Sequence, residues 1–347
     1  MKEMMRVAVM NGRQDVSIEQ RPIPTPGPGE VLIRIRTAGV CGSDLHYYAE
    51  GKIGDIPVQT PFVLGHEIAG TVVALGADVQ GLREGQLVAV EPGIPCGKCE
   101  MCRSGHYNLC PEMRFLATPP YDGAFSEYLA YPAEWVFALP GGMNATQGAL
   151  IEPLAVGMHA AQLAEASVGQ SAFIFGCGCI GLVTLLALRS RGVTEIYMCD
   201  VIEKRMQKAL ELGATAVFDS RKCNPAEEIM SRTGGRGVDC VFEMTGNAAV
   251  LMQTVDVACK GGVIVLVGLG PQSVMPFNFE KLIWNQVQIR PCFRYKNIYP
   301  KAIRAISGGA IDVESIVSDR VTLQQLPEAL KYHLERKSEI IKMIVEM

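Results

Sequence analysis

Residues 171–181, SAFIFGCGCIG, decide the fold. An unbroken apolar run ends in Gly176-x-Gly178-x-x-Gly181 and passes directly into a second apolar stretch, which reads as strand, tight turn and helix. In that setting Gly176 permits the turn and Gly178 lets the backbone approach a pyrophosphate. Gly181 lets the helix pack closely on the strand, and the amides at the helix start meet the anion. Nineteen residues beyond Gly181, where the next apolar run ends, stands Asp200. A carboxylate there accepts hydrogen bonds from an adenosine ribose and repels a 2′-phosphate, which predicts NAD over NADP.

Working outward from this turn, apolar runs at 172–176, 195–200, 215–218, 238–243, 262–268 and 287–291 alternate with segments of helix length. Six such runs predict an α/β fold with a doubly wound parallel sheet covered on both faces. The half before about Leu150 reads differently. Short β-like runs at 31–37, 69–75, 86–91 and 125–131 are broken by glycine and proline, and 21–29 (RPIPTPGPG) cannot be helix interior. The expected organisation is a β-rich domain over 1–151, a nucleotide-binding domain over 152–293, and a closing segment, 294–347, with two helix-like stretches and a strand at 340–345.

The chain has 347 residues and a formal net charge of −4, with no basic field for nucleic acid or an anionic membrane. No apolar run approaches the roughly 20 residues of a membrane span, and residues 1–13 lack the features of a secretory signal. A cytoplasmic protein with a small-molecule partner is expected, free of nucleic acid and membrane. Twelve cysteines in a reducing compartment favour metal binding or burial over disulfides. Cys96, Cys99, Cys102 and Cys110 follow C-x2-C-x2-C-x7-C in a polar loop with no apolar core to bury them. Four thiolates complete a tetrahedral zinc shell and leave no position for substrate, so this lobe, 96–110, is expected to hold a structural ion.

A second set is dispersed: Cys41 in GVCGSD, His66 and Glu67 in GHE, and Glu152 in IEP. Singly, each has an ordinary explanation as a buried or surface residue. Together they offer one soft, one borderline and two hard ligands, which suits zinc with an exchangeable position.

The order and spacing of G-V-C-G-S-D-x-H, G-H-E, the four-cysteine lobe and G-x-G-x-x-G resemble the zinc-dependent medium-chain alcohol dehydrogenase superfamily over essentially the whole chain. Within it, Cys41-Gly-Ser-Asp-Leu-His-Tyr-Tyr48, Ala149-Leu-Ile-Glu-Pro-Leu154, Val267-Gly-Leu-Gly270 and Phe293-Arg-Tyr295 are most similar to the polyol branch, the sorbitol and xylitol dehydrogenases. The resemblance implies a GroES-like catalytic domain that 294–347 rejoins, a Rossmann domain, and two zinc ions per subunit. It makes Cys41 and His66 catalytic-zinc ligands, with Glu67 or Glu152 supplying the carboxylate directly or through water. Ser43 and His46 match a proton relay, and Tyr47, Arg294 and Tyr295, beside Glu152, match the polyol pocket. Dinucleotide contacts extend from Gly176, Gly178, Gly181 and Asp200 to Ile180, Arg205, Val267, Gly268, Phe293 and Arg294.

The implied reaction oxidises a polyol secondary alcohol to the ketose with hydride transfer to NAD. The related alternatives are galactitol 1-phosphate, 2,3-butanediol and L-threonine as substrates. A catalytically silent NAD-binding protein is the non-enzymatic alternative, opposed by the intact Cys41, His66, Glu67, Glu152, Ser43 and His46. The resemblance also implies a homo-oligomer, a tetramer or dimer, paired through a sheet edge. The apolar stretch 262–275 suits such an edge, and equally an internal strand.

Overall fold

A computed structural model describes residues 3–270, 274–336 and 338–347. It has two compact units: Met1–Glu152 with Tyr299–Gly309 and Val317–Met347, and Pro153–Ile298 with Ala310–Ile316.

The first unit is built on the strand Glu30–Gly39 (β1), where Ile33 and Ile35 are buried while Arg34 and Arg36 are exposed. Alternation of this kind puts one face into the core, and each buried aliphatic side chain stabilises by about 1.5–3 kcal/mol. Helix Gly42–Glu50 (α1) follows β1 after a short turn. On one side β1 pairs antiparallel with Glu67–Leu75 (β2), which pairs with Leu87–Val90 (β3). On the other side it pairs antiparallel with the late strand Met343–Glu346, Ile344 opposite Gly39. The segments bearing Cys41 and His66 therefore leave and enter neighbouring strands at one end of the sheet.

The second unit is a six-stranded, all-parallel sheet. Helix Ile151–Leu163 (α2) leads into Ser171–Phe175 (β4), Cys179–Ser190 (α3), Glu195–Asp200 (β5), Glu203–Glu211 (α4), Ala216–Asp219 (β6) and Pro225–Arg232 (α5). Val238–Glu243 (β7), Ala248–Val257 (α6), Ala258–Leu266 (β8), Phe279–Asn285 (α7) and Gln288–Pro291 (β9) complete it. The strand order is β6-β5-β4-β7-β8-β9, so the chain starts mid-sheet, winds outward, and returns beside its start. Ligands bind at that reversal, beyond the carboxyl ends of the strands. All five residues of β4 are buried, as a strand covered on both faces requires.

One open alternative is decided and one expectation needs correction. Of the two readings of 262–275, edge or internal strand, the internal one holds for 262–266, which belong to β8 between β7 and β9; residues 271–273 fall outside the described residues. The edge strands are β6 and β9. Gln288–Pro291 of β9 are mostly exposed, whereas β8 is apolar because both of its faces are covered. Residues 294–298 and 310–316, assigned from sequence to the catalytic domain, sort with the second unit. The turn Glu314–Ile316 packs on α3, an association that local sequence does not encode. No helix among the described residues is long and apolar enough to cross a membrane.

Candidate catalytic and metal centres

Cys41 caps α1, and Asp44 in its first turn ties two loops together. One Asp44 oxygen accepts from the Cys41 N–H (2.9 Å) and the other from the Gly65 N–H (2.9 Å), with the residue only 1% exposed. That carboxylate also lies 3.8 Å from His66 Nδ1. Glu67 begins β2, and ligand atoms of Cys41, His66 and Glu67 all lie within 4.8 Å of one another. Burial by itself would lower the His66 pKa, but the charges of Cys41 and then Asp44 outweigh it and push it up to about 10. The surroundings therefore favour a positive charge where these donors converge. A half-buried thiol converging with a buried imidazole and a buried carboxylate fits a zinc ion.

Glu67 does not stand alone. Its carboxylate is ion-paired with Lys342, which is buried and also donates to the Val40 carbonyl at 3.0 Å. An uncompensated buried carboxylate would be costly, and Lys342 removes that cost. Glu152, in the first turn of α2 and buried, lies outside the group of three donors, yet its charge acts at His66 and at Glu91. Glu91 at the end of β3 is buried as well. Burial pushes its pKa up to about 7, against the pull of the Tyr107 hydroxyl that donates to Oε1 at 2.7 Å.

Ser43 is half-buried on α1, and exposed His46 lies one turn on, its Nδ1 3.5 Å from Glu50 Oε1. Tyr47 faces inward, 3% exposed, its ring centroid 6.3 Å from that of Phe62.

The four cysteines of the lobe also converge, their Sγ atoms within 4.8 Å of one another. Cys99 and Cys102 are 3.4 Å apart, and the N–H groups of Cys96 and Cys99 point at Cys110 Sγ (3.3 Å) and Cys96 Sγ (3.4 Å). Backbone donors aimed at sulfur stabilise thiolates, and the four-thiol set fits a closed zinc shell. All twelve cysteines are free of disulfides.

In the second unit Gly176 has φ +104°, a conformation only glycine takes without strain. A Cβ on Gly181 would stand 2.0 Å from the Gly176 carbonyl oxygen, so α3 leaves the turn at a distance no other residue permits. A Cβ on Gly178 would meet only Arg205 Nη1, at 3.9 Å, which leaves an open cradle over the helix start that fits a dinucleotide phosphate. Half-buried Ile180 follows in the first turn of α3. Asp200 Oδ2 accepts from the Cys177 N–H at 2.7 Å, and Oδ1 accepts from Val201 (2.7 Å) and Ile202 (3.0 Å). Asp200 therefore locks the glycine turn to the end of β5. The Val267 and Gly268 amides donate to the Glu243 carbonyl beyond β8. Past β9, Arg294 takes a positive φ and lays its guanidinium 4.8 Å from the Phe293 ring centre, while Tyr295 is buried.

Sequence reasoning gave no role to Asp44, Lys342, Glu91 or Tyr107. Asp44 had a local signal, lying inside the quoted GVCGSD. Lys342 had none, since its partners lie at Val40 and Glu67.

Residues 27–141 match the family described as alcohol dehydrogenase GroES-like domain, and 179–308 the one described as zinc-binding dehydrogenase. The chain is 40% identical over 341 residues to the sorbitol dehydrogenase of Bacillus subtilis, covering 98% of this chain and 97% of that one. A solved Escherichia coli oxidoreductase/dehydrogenase of unknown specificity superposes with a TM-score of 0.94 at 40% identity, over 99% of each chain. A zinc-binding dehydrogenase from Sinorhizobium meliloti, solved with NADP, superposes with a TM-score of 0.92 at 28% identity over 100% of each.

Proposed function

This chain belongs to the zinc-dependent medium-chain alcohol dehydrogenase family, and from that premise we propose that it oxidises a secondary alcohol of a sorbitol- or xylitol-type polyol to the ketose, using NAD. The observation that carries the reading is the convergence of Cys41, His66 and Glu67 within 4.8 Å from segments far apart in sequence. Zinc bound there supplies Lewis-acid polarisation of the substrate hydroxyl, and NAD supplies the hydride acceptor.

The chain's own residues do the rest. Cys41, His66 and Glu67 hold the ion, Lys342 limits the charge Glu67 contributes, and Glu152 reaches the centre through water. Asp44 orients the Cys41 turn and the His66 ring. Ser43 and His46 are assigned to the relay that carries the substrate proton away, and the neighbour Glu50 and the exposure of His46 give the proton a way to solvent. Arg294, Tyr295 and Tyr47 are assigned to the run of substrate hydroxyls. The cysteine lobe holds a second, structural zinc, for two per subunit. The glycine turn with Ile180 receives the pyrophosphate, Asp200 and Arg205 the adenosine ribose, and Val267, Gly268, Phe293 and Arg294 the nicotinamide end.

The cytoplasm suits twelve cysteines with no disulfide among them. A second copy of the chain is the proposed partner. It would cover Phe279, Ile283 and Trp284 on α7, exposed at 71%, 60% and 76%, beside the edge strand β9.

The test is NAD reduction with sorbitol, xylitol, galactitol, galactitol 1-phosphate, 2,3-butanediol and L-threonine, with and without chelator, alongside zinc content. Chelator-sensitive turnover confined to polyols is expected. Turnover confined to another member of the panel reassigns the substrate, and none at all leaves a silent dinucleotide-binding protein.

A further inference from the structure

Asp200 and Asp219 are register partners at the carboxyl ends of β5 and β6, in strands about 4.8 Å apart. The two carboxylates are committed differently. Asp200 accepts from the amides of Cys177, Val201 and Ile202. Asp219 instead holds two cations. Arg221 donates from Nε to Oδ1 at 2.9 Å and from Nη2 to Oδ2 at 2.7 Å, and the Lys222 ammonium lies 3.4 Å from Oδ2. The Arg221 hydrogen bonds keep the Asp219 carboxyl well below the usual carboxylate range. Its side chain is 7% exposed, whereas those of Arg221 and Lys222 are 59% and 73% exposed. The Arg221 N–H, 3.0 Å from Oδ1, fixes the turn that presents both, and the Ser220 N–H, 3.3 Å from the Asp200 carbonyl, ties that turn to the end of β5.

A planar guanidinium with a neighbouring ammonium is a phosphate-recognition pair. Here it stands in the turn that follows the strand next to that of the acid assigned to the adenosine ribose, with its guanidinium fork occupied by a carboxylate. We propose that Asp219 is a second cofactor-selecting residue: by engaging Arg221 and Lys222 it withholds from a 2′-phosphorylated dinucleotide the cations that would bind it. Selection of NAD is then shared. Asp200 repels the 2′-phosphate, and Asp219 keeps the adjacent cations from attracting it. The inference rests on the assignment of Asp200 and the glycine turn to a dinucleotide.

The experiment is equilibrium titration of the zinc-loaded protein with NADH and NADPH, followed by fluorescence. Asp219→Asn keeps the side chain's size and an acceptor for the Arg221 N–H but removes the charge; Asp219→Ser is a second variant should the first fail to fold. Wild type should bind NADH tightly and NADPH poorly. Asp219→Asn should improve NADPH binding about fivefold, the upper range for one exposed charge contact, and leave NADH binding within about twofold. Adding Arg221→Gln and Lys222→Gln in that background should remove the gain. An unchanged NADPH affinity in a variant that melts like wild type overturns the proposal, as does a gain that survives loss of both cations. If wild type binds neither nucleotide, the dinucleotide assignment itself fails, an outcome separable from the other two.

Discussion

Ser43 and His159 bracket what a single side chain contributes here. Replacing Ser43 with Ala should lower kcat about a hundredfold while zinc content stays that of wild type, because only the hydroxyl of the relay is lost. Metal analysis beside steady-state rates checks both halves. His159 on α2 is 4% exposed, and burial first, then the charge of Lys296, holds its pKa down at about 4 against an ordinary 6.5. Between those values the folded chain binds fewer protons at this site than the unfolded chain. Stability from this group is therefore full above about pH 6.5 and lost as pH falls toward 4. Urea unfolding from pH 5 to 7 should show a shallower pH dependence in His159→Gln than in wild type; equal slopes would assign the titration elsewhere. Residues at this scale were legible when their chemistry was local. Cys96, Cys99, Cys102 and Cys110 announce themselves because all four thiols fall within one short loop. Asp44 was visible but silent, since a carboxylate in a motif does not say which amides it will accept from. Glu67 read as an unencumbered ligand because its counter-charge, Lys342, is distant along the chain.

Elements were legible where burial dictates composition. Ser171–Phe175 had to be apolar along its whole length because both faces of its sheet are covered, and Glu30–Gly39 had to alternate because one of its faces carries Arg34 and Arg36 outward. The same physics left the sheet edge open. The apolar stretch 262–275 suits a pairing edge or an internal strand equally well; its part 262–266 is internal, between two neighbours, and the exposed strand Gln288–Pro291 carried no comparable signal. The turn joining β4 to α3 offers an element-scale test. Gly181→Ala places a methyl 2.0 Å from the Gly176 carbonyl, so strand and helix must separate. The expected cost is about 1–3 kcal/mol in denaturant unfolding, typical of overpacking. NADH affinity should weaken in the same variant, because the amides of the turn move with the helix.

At the scale of the whole molecule, the proposed second copy and the order of the chain each have a consequence. Trp284→Glu on α7 puts a charge into the most exposed part of the apolar patch beside β9. Sedimentation of this variant should show a smaller species than wild type, with the melting temperature little changed if the patch is covered only by another copy. An unaltered mass would remove this face as the proposed contact with a second copy. The way the chain is threaded has a further consequence. The sheet centred on β1 is closed by Met343–Glu346, and the counter-cation of Glu67 sits at Lys342, just before it. Between these late residues and the early ones the ribosome must make all of 153–298, most of the second unit. The surroundings of Glu67 are thus complete only after Lys342 has been translated, and until then Glu67 must stay hydrated or wait for its partner.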